Sequence, residues 1–122
     1  MNNKDKTDCL EKSGIYKLTC HTCKAYYIGK TTRTFRQRIN EHLRILRLGR
    51  SYRDSHFGNH LYDCQHDFNL TEDFKILHTN VNNWIMDGLE RIEILKHKKF
   101  DNNVMLNIQM DFGEDGLLRC LL

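Results

Sequence analysis

Two short aromatic phrases that each carry a glycine, Gly14-Ile15-Tyr16 and Tyr27-Ile28-Gly29, most constrain what this chain can fold into. Residues 13–19 and 24–29 are rich in aromatic and aliphatic side chains, which is typical of short β-strands. The segment between them, Cys20-His21-Thr22-Cys23, is polar and tight. The pattern therefore predicts two strands joined as a β-hairpin.

A basic helix is predicted directly after the hairpin. Thr34 begins a capping box, Thr-Phe-Arg-Gln, and the helix is expected from about residue 35 to 48, ending at Gly49. The predicted buried face consists of Phe35, Ile39, Leu43 and Leu46. Arg38 and His42 lie four residues apart on a neighbouring stripe. Both side chains are therefore expected at the edge of the buried face, pointing toward the two tyrosines of the hairpin.

Length and composition bound the possible classes of protein. The chain has 122 residues, of which 39% are hydrophobic and 29% charged, as expected for one soluble globular domain. No apolar run is long enough to span a bilayer, and no signal-peptide pattern precedes it, so no membrane partner is expected. We expect residues 1–12 to form a flexible N-terminal segment and residues 13–122 one domain.

The net charge of +3 is small, but basic residues cluster between Lys24 and Arg53, where Glu41 is the single acid. A second basic cluster occupies residues 96–99. Such local excess favours a polyanionic partner through counterion release. An ordinary solvated helix face explains this charge equally well.

The five cysteines indicate a metal site more than a disulfide framework, because their number is odd and no secretory signal is present. Cys20-x-x-Cys23 in a hairpin turn is typical of a zinc knuckle, which needs two further ligands. Unrelated loop cysteines are one alternative, and a redox pair is another, although a redox motif usually starts a helix. The candidates for the missing ligands lie on or just after a predicted second helix, residues 56–63, capped by Asp54 or Ser55: His56, His60, Cys64 and His66.

The second half of the chain predicts a third strand and a third long helix. The strand covers residues 74–80, and Asn82 or Asn83 caps a helix from Trp84 to about Lys98. The expected core stripe of this helix is Trp84, Ile85, Leu89, Ile92 and Leu95. Periodicity leaves open whether Glu90 or Glu93 faces a site. From Asp101 onward we expect a last short strand or a loop against the core.

Several of these residues suit phosphodiester hydrolysis. That reaction needs an activated water, a cation on the phosphoryl oxygens and help for the leaving oxygen. The candidates are Tyr16, Tyr27, Arg38, His42 and Glu90, with Lys30 beside the second glycine phrase. From the residues alone, tyrosines that simply pack the sheet explain the pattern better.

Together the paired phrases, Arg38 and His42 resemble the GIY-YIG nuclease family. With Cys20-x-x-Cys23 and the run GKTTRTFRQRINEH, the chain is similar to the endonuclease domain of Penelope-like retroelements, over about residues 13–107. The resemblance implies an α/β fold, with a small three-stranded antiparallel sheet flanked by helices and a zinc knuckle in the first hairpin. It also implies a metal-dependent DNA endonuclease.

The resemblance assigns roles to individual residues. Tyr16 is the expected general base, Tyr27 its support at the scissile phosphate, and Arg38 the group that stabilises the phosphorane. The position of His42 holds a histidine or tyrosine in many relatives. Glu90 is expected to hold a catalytic Mg²⁺ or Mn²⁺. Substrate-binding roles are expected for Gly29, Lys30, Arg33 and Asn107.

The resemblance also implies a structural zinc on Cys20, Cys23, His60 and His66, with Cys64 as the substitute for His66. Such endonuclease domains normally follow a reverse transcriptase, which is therefore an expected partner beside DNA. Nicked target DNA would then prime reverse transcription. The expected location is nuclear for a eukaryotic retroelement and otherwise intracellular. The alternatives are a restriction, homing or repair nuclease on the same fold, or a catalytically inactive, zinc-stabilised DNA-binding module.

Overall fold

The computed structural model describes residues 9–49 and 55–107. Within them the strands are β1 (Gly14–Thr19), β2 (Tyr26–Thr31) and β3 (Phe74–Thr79). The helices are α1 (Phe35–Leu48), α2 (His56–Cys64), the short α3 (Leu70–Asp73) and α4 (Asn83–Phe100). The predicted order of elements is confirmed, and only α3 was not expected.

The three strands form one antiparallel sheet in the order β2-β1-β3. Tyr16 pairs with Gly29, so the two glycine phrases lie side by side in the centre of the hairpin. The turn closes where the Cys20 N–H donates to the Ala25 carbonyl at 2.7 Å. The predicted hairpin and the predicted α/β fold are both confirmed.

Helix α1 has the predicted bounds, and its capping box is present: the Thr34 side chain accepts from the Gln37 N–H. The buried side of α1 is rotated relative to the predicted stripe. Leu46, which was expected in the core, is 47% exposed, and His42 is fully buried. The buried residues are Phe35, Ile39, His42 and Ile45. The polar histidine takes a core position because it bonds Tyr16 of β1, as described below.

Helix α4 shows a larger difference from the predicted stripe. Trp84, Ile92 and Leu95 are 82%, 53% and 62% exposed, so their assignment to the core was wrong. The buried residues of this helix are Met86 and Glu93. The side that faces the sheet thus includes Glu93, which contacts His78 of β3, beside the apolar Met86.

Side chains of the sheet alternate between two apolar layers. Tyr16, Leu18 and Phe74 pack with α1 and α2, together with Phe35 and Phe57. Ile15, Tyr26 and Ile28 pack on the opposite face against Met86 of α4. Gly58 of α2 lies against the main-chain carbonyl of His42, where a β-carbon would overlap it. This close approach of α2 to α1 brings the second helix near the hairpin turn.

The segment after α4 returns to the edge of the sheet. The Tyr26 N–H donates to the Val104 carbonyl at 2.9 Å, and the Leu106 N–H donates to the Tyr26 carbonyl at 2.7 Å. A single parallel bridge joins Tyr26 to Met105. The expected last element is therefore a short stretch of extended chain beside β2.

Some expectations fall on residues outside the described part: the N-terminal residues 1–8, Asp54 as an alternative cap and the tail from residue 108. The N-cap of α2 is Ser55, whose side chain accepts from the Gly58 N–H. None of the helices within the described ranges is long and apolar enough to cross a membrane.

Candidate active site and metal centre

The phenol of Tyr16 lies at the centre of the first site. β1 directs this side chain into the layer beneath α1, where it is 1% exposed. Its hydroxyl lies under Gly29, and a β-carbon at that position would overlap the phenol. The second glycine phrase therefore carries glycine because Tyr16 occupies the space of a side chain.

His42 bonds this phenol from α1. The Tyr16 hydroxyl and His42 Nε2 are 2.7 Å apart. Burial lowers the pKa of His42 to about 3, and the nearby Arg38 acts in the same direction. Burial also raises the pKa of Tyr16 well above its usual range. At pH 7 the histidine is therefore neutral and the phenol keeps its proton, which it can donate to His42 Nε2.

Arg38 reaches the same hydroxyl from the preceding turn of α1. Its Nε–H donates to the Tyr16 oxygen at 3.3 Å, and its Nη1 donates to Glu41 at 2.9 Å. Tyr27 completes the group: its ring centroid is 6.3 Å from that of Tyr16 and 4.9 Å from that of His42. The structure thus brings together four of the five predicted catalytic side chains around one phenol.

Glu90 approaches this group from α4. It is half-buried, and burial raises the pKa of its carboxyl, while the charges of Lys30 and Arg38 oppose that rise. Its charge also raises the pKa of both Tyr16 and Tyr27, which places it near them. Within the described ranges the side chain of Glu90 makes no hydrogen bond. A half-buried carboxylate left without a hydrogen bond is suited to hold a cation.

A groove of about 350 Å³ opens beside Arg38 and is lined by Lys30, Thr31, Thr32, Arg33, Asn83, Met86 and Asp87. Three of these lining groups, counting Arg38, are cationic, and one is acidic. Lys30 forms an ion pair with Asp87 across the groove. Such a groove favours a polyanion near the Tyr16 phenol.

Asn107 lies beside β2, the strand that carries the second phrase. Its side-chain oxygen accepts from the Ile28 N–H at 2.8 Å, and its amide nitrogen donates to the Ile28 carbonyl. Both ends of the amide are therefore used to hold β2 between Tyr27 and Gly29. This arrangement favours a positioning role, and its predicted contact with substrate stays a prediction.

The second site is built at the hairpin turn. Cys20 and Cys23 flank the turn, and α2 presents His60 toward them. Helix α2 is capped by Gln65, whose left-handed conformation, with φ of 55°, reverses the chain. His66 thereby comes back beside His60, with 5.1 Å between their ring centroids. The His21 N–H, which donates to the Asp67 carbonyl at 2.9 Å, fixes this loop on the turn.

The four ligand atoms of Cys20, Cys23, His60 and His66 all lie within 4.8 Å of one another. Each cysteine sulfur is 3.3 Å from one histidine nitrogen. Tetrahedral zinc, with bonds of about 2.3 Å to sulfur and about 2.1 Å to nitrogen, would separate such atoms by about 3.5 Å. The donor set and spacing therefore fit a structural zinc. His66 is the fourth member, while Cys64 lies behind His60, 3.8 Å from its Nδ1.

Sequence reasoning missed one residue of the first site, Glu41. Its carboxylate joins Arg38 and Arg33, and the hydrogen bond from Arg33 holds its pKa below the usual range. The available signal was its position three residues after Arg38, as the lone acid of a basic segment.

Comparison with known proteins agrees with this geometry. Residues 12–103, three quarters of the chain, match the GIY-YIG catalytic domain. No curated protein and no solved structure is found to match the chain. The family match implies a nuclease with DNA as its substrate and supports the expected dependence on a divalent metal ion. The chain therefore belongs to the GIY-YIG family of nuclease domains.

Proposed function

We propose that this domain is a metal-dependent DNA endonuclease that nicks its target. The observation that carries the proposal is the pair of hydrogen bonds at one phenol: Tyr16 contacts His42 at 2.7 Å and Arg38 at 3.3 Å, beside a cationic groove. A buried tyrosine hydroxyl in a packed sheet needs one hydrogen-bond partner, whereas Tyr16 has two, one of which is the cationic Arg38.

Tyr16 is the proposed general base. As its oxygen takes a proton from the attacking water, its own proton passes to Nε2 of the neutral His42 across 2.7 Å. The transfer leaves a neutral phenol and an imidazolium, the form that burial and the nearby Arg38 disfavour in the resting protein. Arg38, whose Nε–H faces the same oxygen, brings a fixed positive charge to the phosphoryl group. Tyr27 supports the phenol from the neighbouring strand.

Glu90 is the proposed ligand of the catalytic Mg²⁺ or Mn²⁺. One carboxylate is sufficient for such an ion, which usually keeps several waters and also binds substrate phosphates. When bound, the cation would stabilise negative charge on the phosphoryl and leaving oxygens. Lys30 and Arg33 line the groove and are proposed to bind the DNA backbone. Gly29 leaves room for the phenol next to that backbone.

We further propose that the domain acts in a Penelope-like retroelement. Support comes from the clustered Cys-Cys-His-His ligands in the hairpin turn, on Cys20, Cys23, His60 and His66. In this role a nick would leave a 3′-hydroxyl that primes a partner reverse transcriptase, in the nucleus of the host. The proposed zinc is structural and separate from the catalytic ion.

The test uses supercoiled plasmid with Mg²⁺ or Mn²⁺, and with EDTA. We expect conversion to open circles that requires the metal and is abolished in Glu90→Gln. Arg38→Ala should slow cleavage about 100-fold, since a donor to developing charge is lost. Glu72→Gln, which removes a carboxylate that is 63% exposed near the hairpin turn, is the matched control and should cleave normally.

Three outcomes would contradict parts of this proposal. Direct conversion to linear plasmid would overturn nicking and indicate two cooperating sites. Cleavage by Glu90→Gln at the wild-type rate would overturn the assigned metal ligand. DNA binding without any cleavage by the wild type would instead indicate a zinc-stabilised binding module.

A further inference from the structure

Glu41 occupies a central position between two arginines of the candidate site. Its Oε1 accepts from Arg38 Nη1 at 2.9 Å. Both of its oxygens accept from Arg33 Nη2 at 2.6 Å. Because a carboxylate held by two guanidinium groups has little freedom, Glu41 is itself fixed by Arg33, which precedes α1.

The contact with Glu41 determines how Arg38 is oriented. A guanidinium group is planar and rigid, so two anchored donors fix its plane. In this site the Nε–H points at the Tyr16 oxygen and Nη1 at Glu41. The side chain of Arg38 is 31% exposed, and Arg38 lines the groove. These two bonds fix the guanidinium at the border between the Tyr16 phenol and the groove.

We propose that Glu41 is a positioning residue that holds Arg38 in its working orientation. The inference rests on the proposed endonuclease function and deepens it. Without Glu41, Arg38 loses one of the two bonds that fix its plane and reaches the reacting phosphate in the correct orientation only part of the time. A loss of orientation of this kind lowers turnover more than substrate affinity.

Two simpler roles for Glu41 lead to different results. As an ordinary exposed ion pair, with 40% of its side chain accessible, it would have almost no effect on stability or turnover. As a carboxylate that competes with DNA for the arginines, its removal would strengthen DNA binding and raise activity. The positioning role alone predicts slower turnover with unchanged substrate affinity.

The experiment compares Glu41→Gln with Glu11→Gln. Glu11 is likewise exposed and pairs at 2.6 Å with Arg36, which lies on α1 as Arg38 does. Neither Glu11 nor Arg36 contacts Tyr16. We expect Glu41→Gln to lower kcat about 10- to 100-fold with KM within about twofold of wild type. DNA affinity measured in EDTA should stay the same or rise slightly, because a negative charge is removed. Glu11→Gln should keep the wild-type kcat.

A second measurement does not need cleavage. The side-chain Nε–H signal of Arg38 in NMR spectra reports its hydrogen bond to Tyr16. We expect Glu41→Gln to shift or broaden that signal, while Glu11→Gln leaves it unchanged. If the signal is unchanged in Glu41→Gln, or if kcat equals or exceeds the wild-type value, the positioning role is overturned. A wild-type protein that never cleaves DNA, but shows the shift, contradicts only the proposed function.

Discussion

At the residue scale, the site depends on one absent side chain. Gly29 leaves open the space that the Tyr16 hydroxyl occupies, so the two phrases of the hairpin are coupled through a single contact. The same phenol bonds His42 and is reached by Arg38. Displacement of the phenol would therefore disturb every proposed catalytic contact together.

Gly29→Ala is expected to destabilise the protein by about 1–3 kcal/mol, because the added methyl group overlaps a buried tyrosine. Cleavage should fall with it, since the phenol must move. The measurement is urea unfolding, compared with Gly88→Ala, where a β-carbon meets open space. The control should be neutral or slightly stabilising, as alanine favours a helix over glycine. Equal stabilities for the two variants would contradict the contact.

His42 gives stability a defined pH dependence. Its pKa is about 3 in the folded protein, against about 6.5 in an unfolded chain. The unfolded state therefore binds a proton first, and the stability that neutral His42 contributes is present above about pH 6.5 and is lost as pH falls toward 3. Between pH 7.5 and 5.5 the loss should be on the order of 1 kcal/mol.

The test compares unfolding free energies of wild type and His42→Gln at both pH values. The other histidines are present in both proteins, so the difference in slope isolates His42. We expect the variant to lose less stability on acidification by about the stated amount. Parallel slopes would show that His42 is already charged in the fold or that its burial is incomplete.

At the element scale, the zinc site joins the hairpin turn to the end of α2. These elements are far apart in sequence, and the proposed ion would add a link between them to the apolar packing of the core. Metal analysis of protein purified without chelator should find about one zinc per chain. Cys20→Ser should lower both the zinc content and the melting temperature. Cys9→Ser, at a free cysteine outside the cluster, is the control and should keep both. A metal-free protein with the wild-type melting temperature would contradict the site.

The two long helices differ in how well their pattern specified their orientation. α1 carries a capping box and a glycine stop, both local signals, and its bounds were predicted correctly. α4 has apolar residues on more than one side, so counting them selected Trp84, Ile92 and Leu95 as the core stripe. The sheet instead meets the side that carries Met86 and Glu93, where Met86 packs on Ile28 and the Glu93 carboxylate contacts His78 of β3.

At the scale of the whole molecule, α4 presents an exposed apolar face. Trp84 is the single tryptophan of the chain and is 82% exposed. We expect its fluorescence emission to resemble that of tryptophan in water and to be quenched readily by acrylamide. The check is a titration of quencher at several protein concentrations. A blue-shifted, protected emission in dilute protein would show that this face is covered and would contradict the exposed position.

The sequence by itself determined the hairpin, the capped helix, the third strand and the family, because these depend on local alternation, capping residues and short motifs. It also named the residues that meet around Tyr16 and the four zinc candidates. Tertiary structure decided what spacing does not encode: which face of α4 turns inward, why Gly29 carries no side chain, and that Glu41 also bonds Arg33, which precedes α1. Each of these depends on atoms that come from different elements. Contacts between elements that are distant in sequence produce no periodic pattern of residues from which they could be predicted.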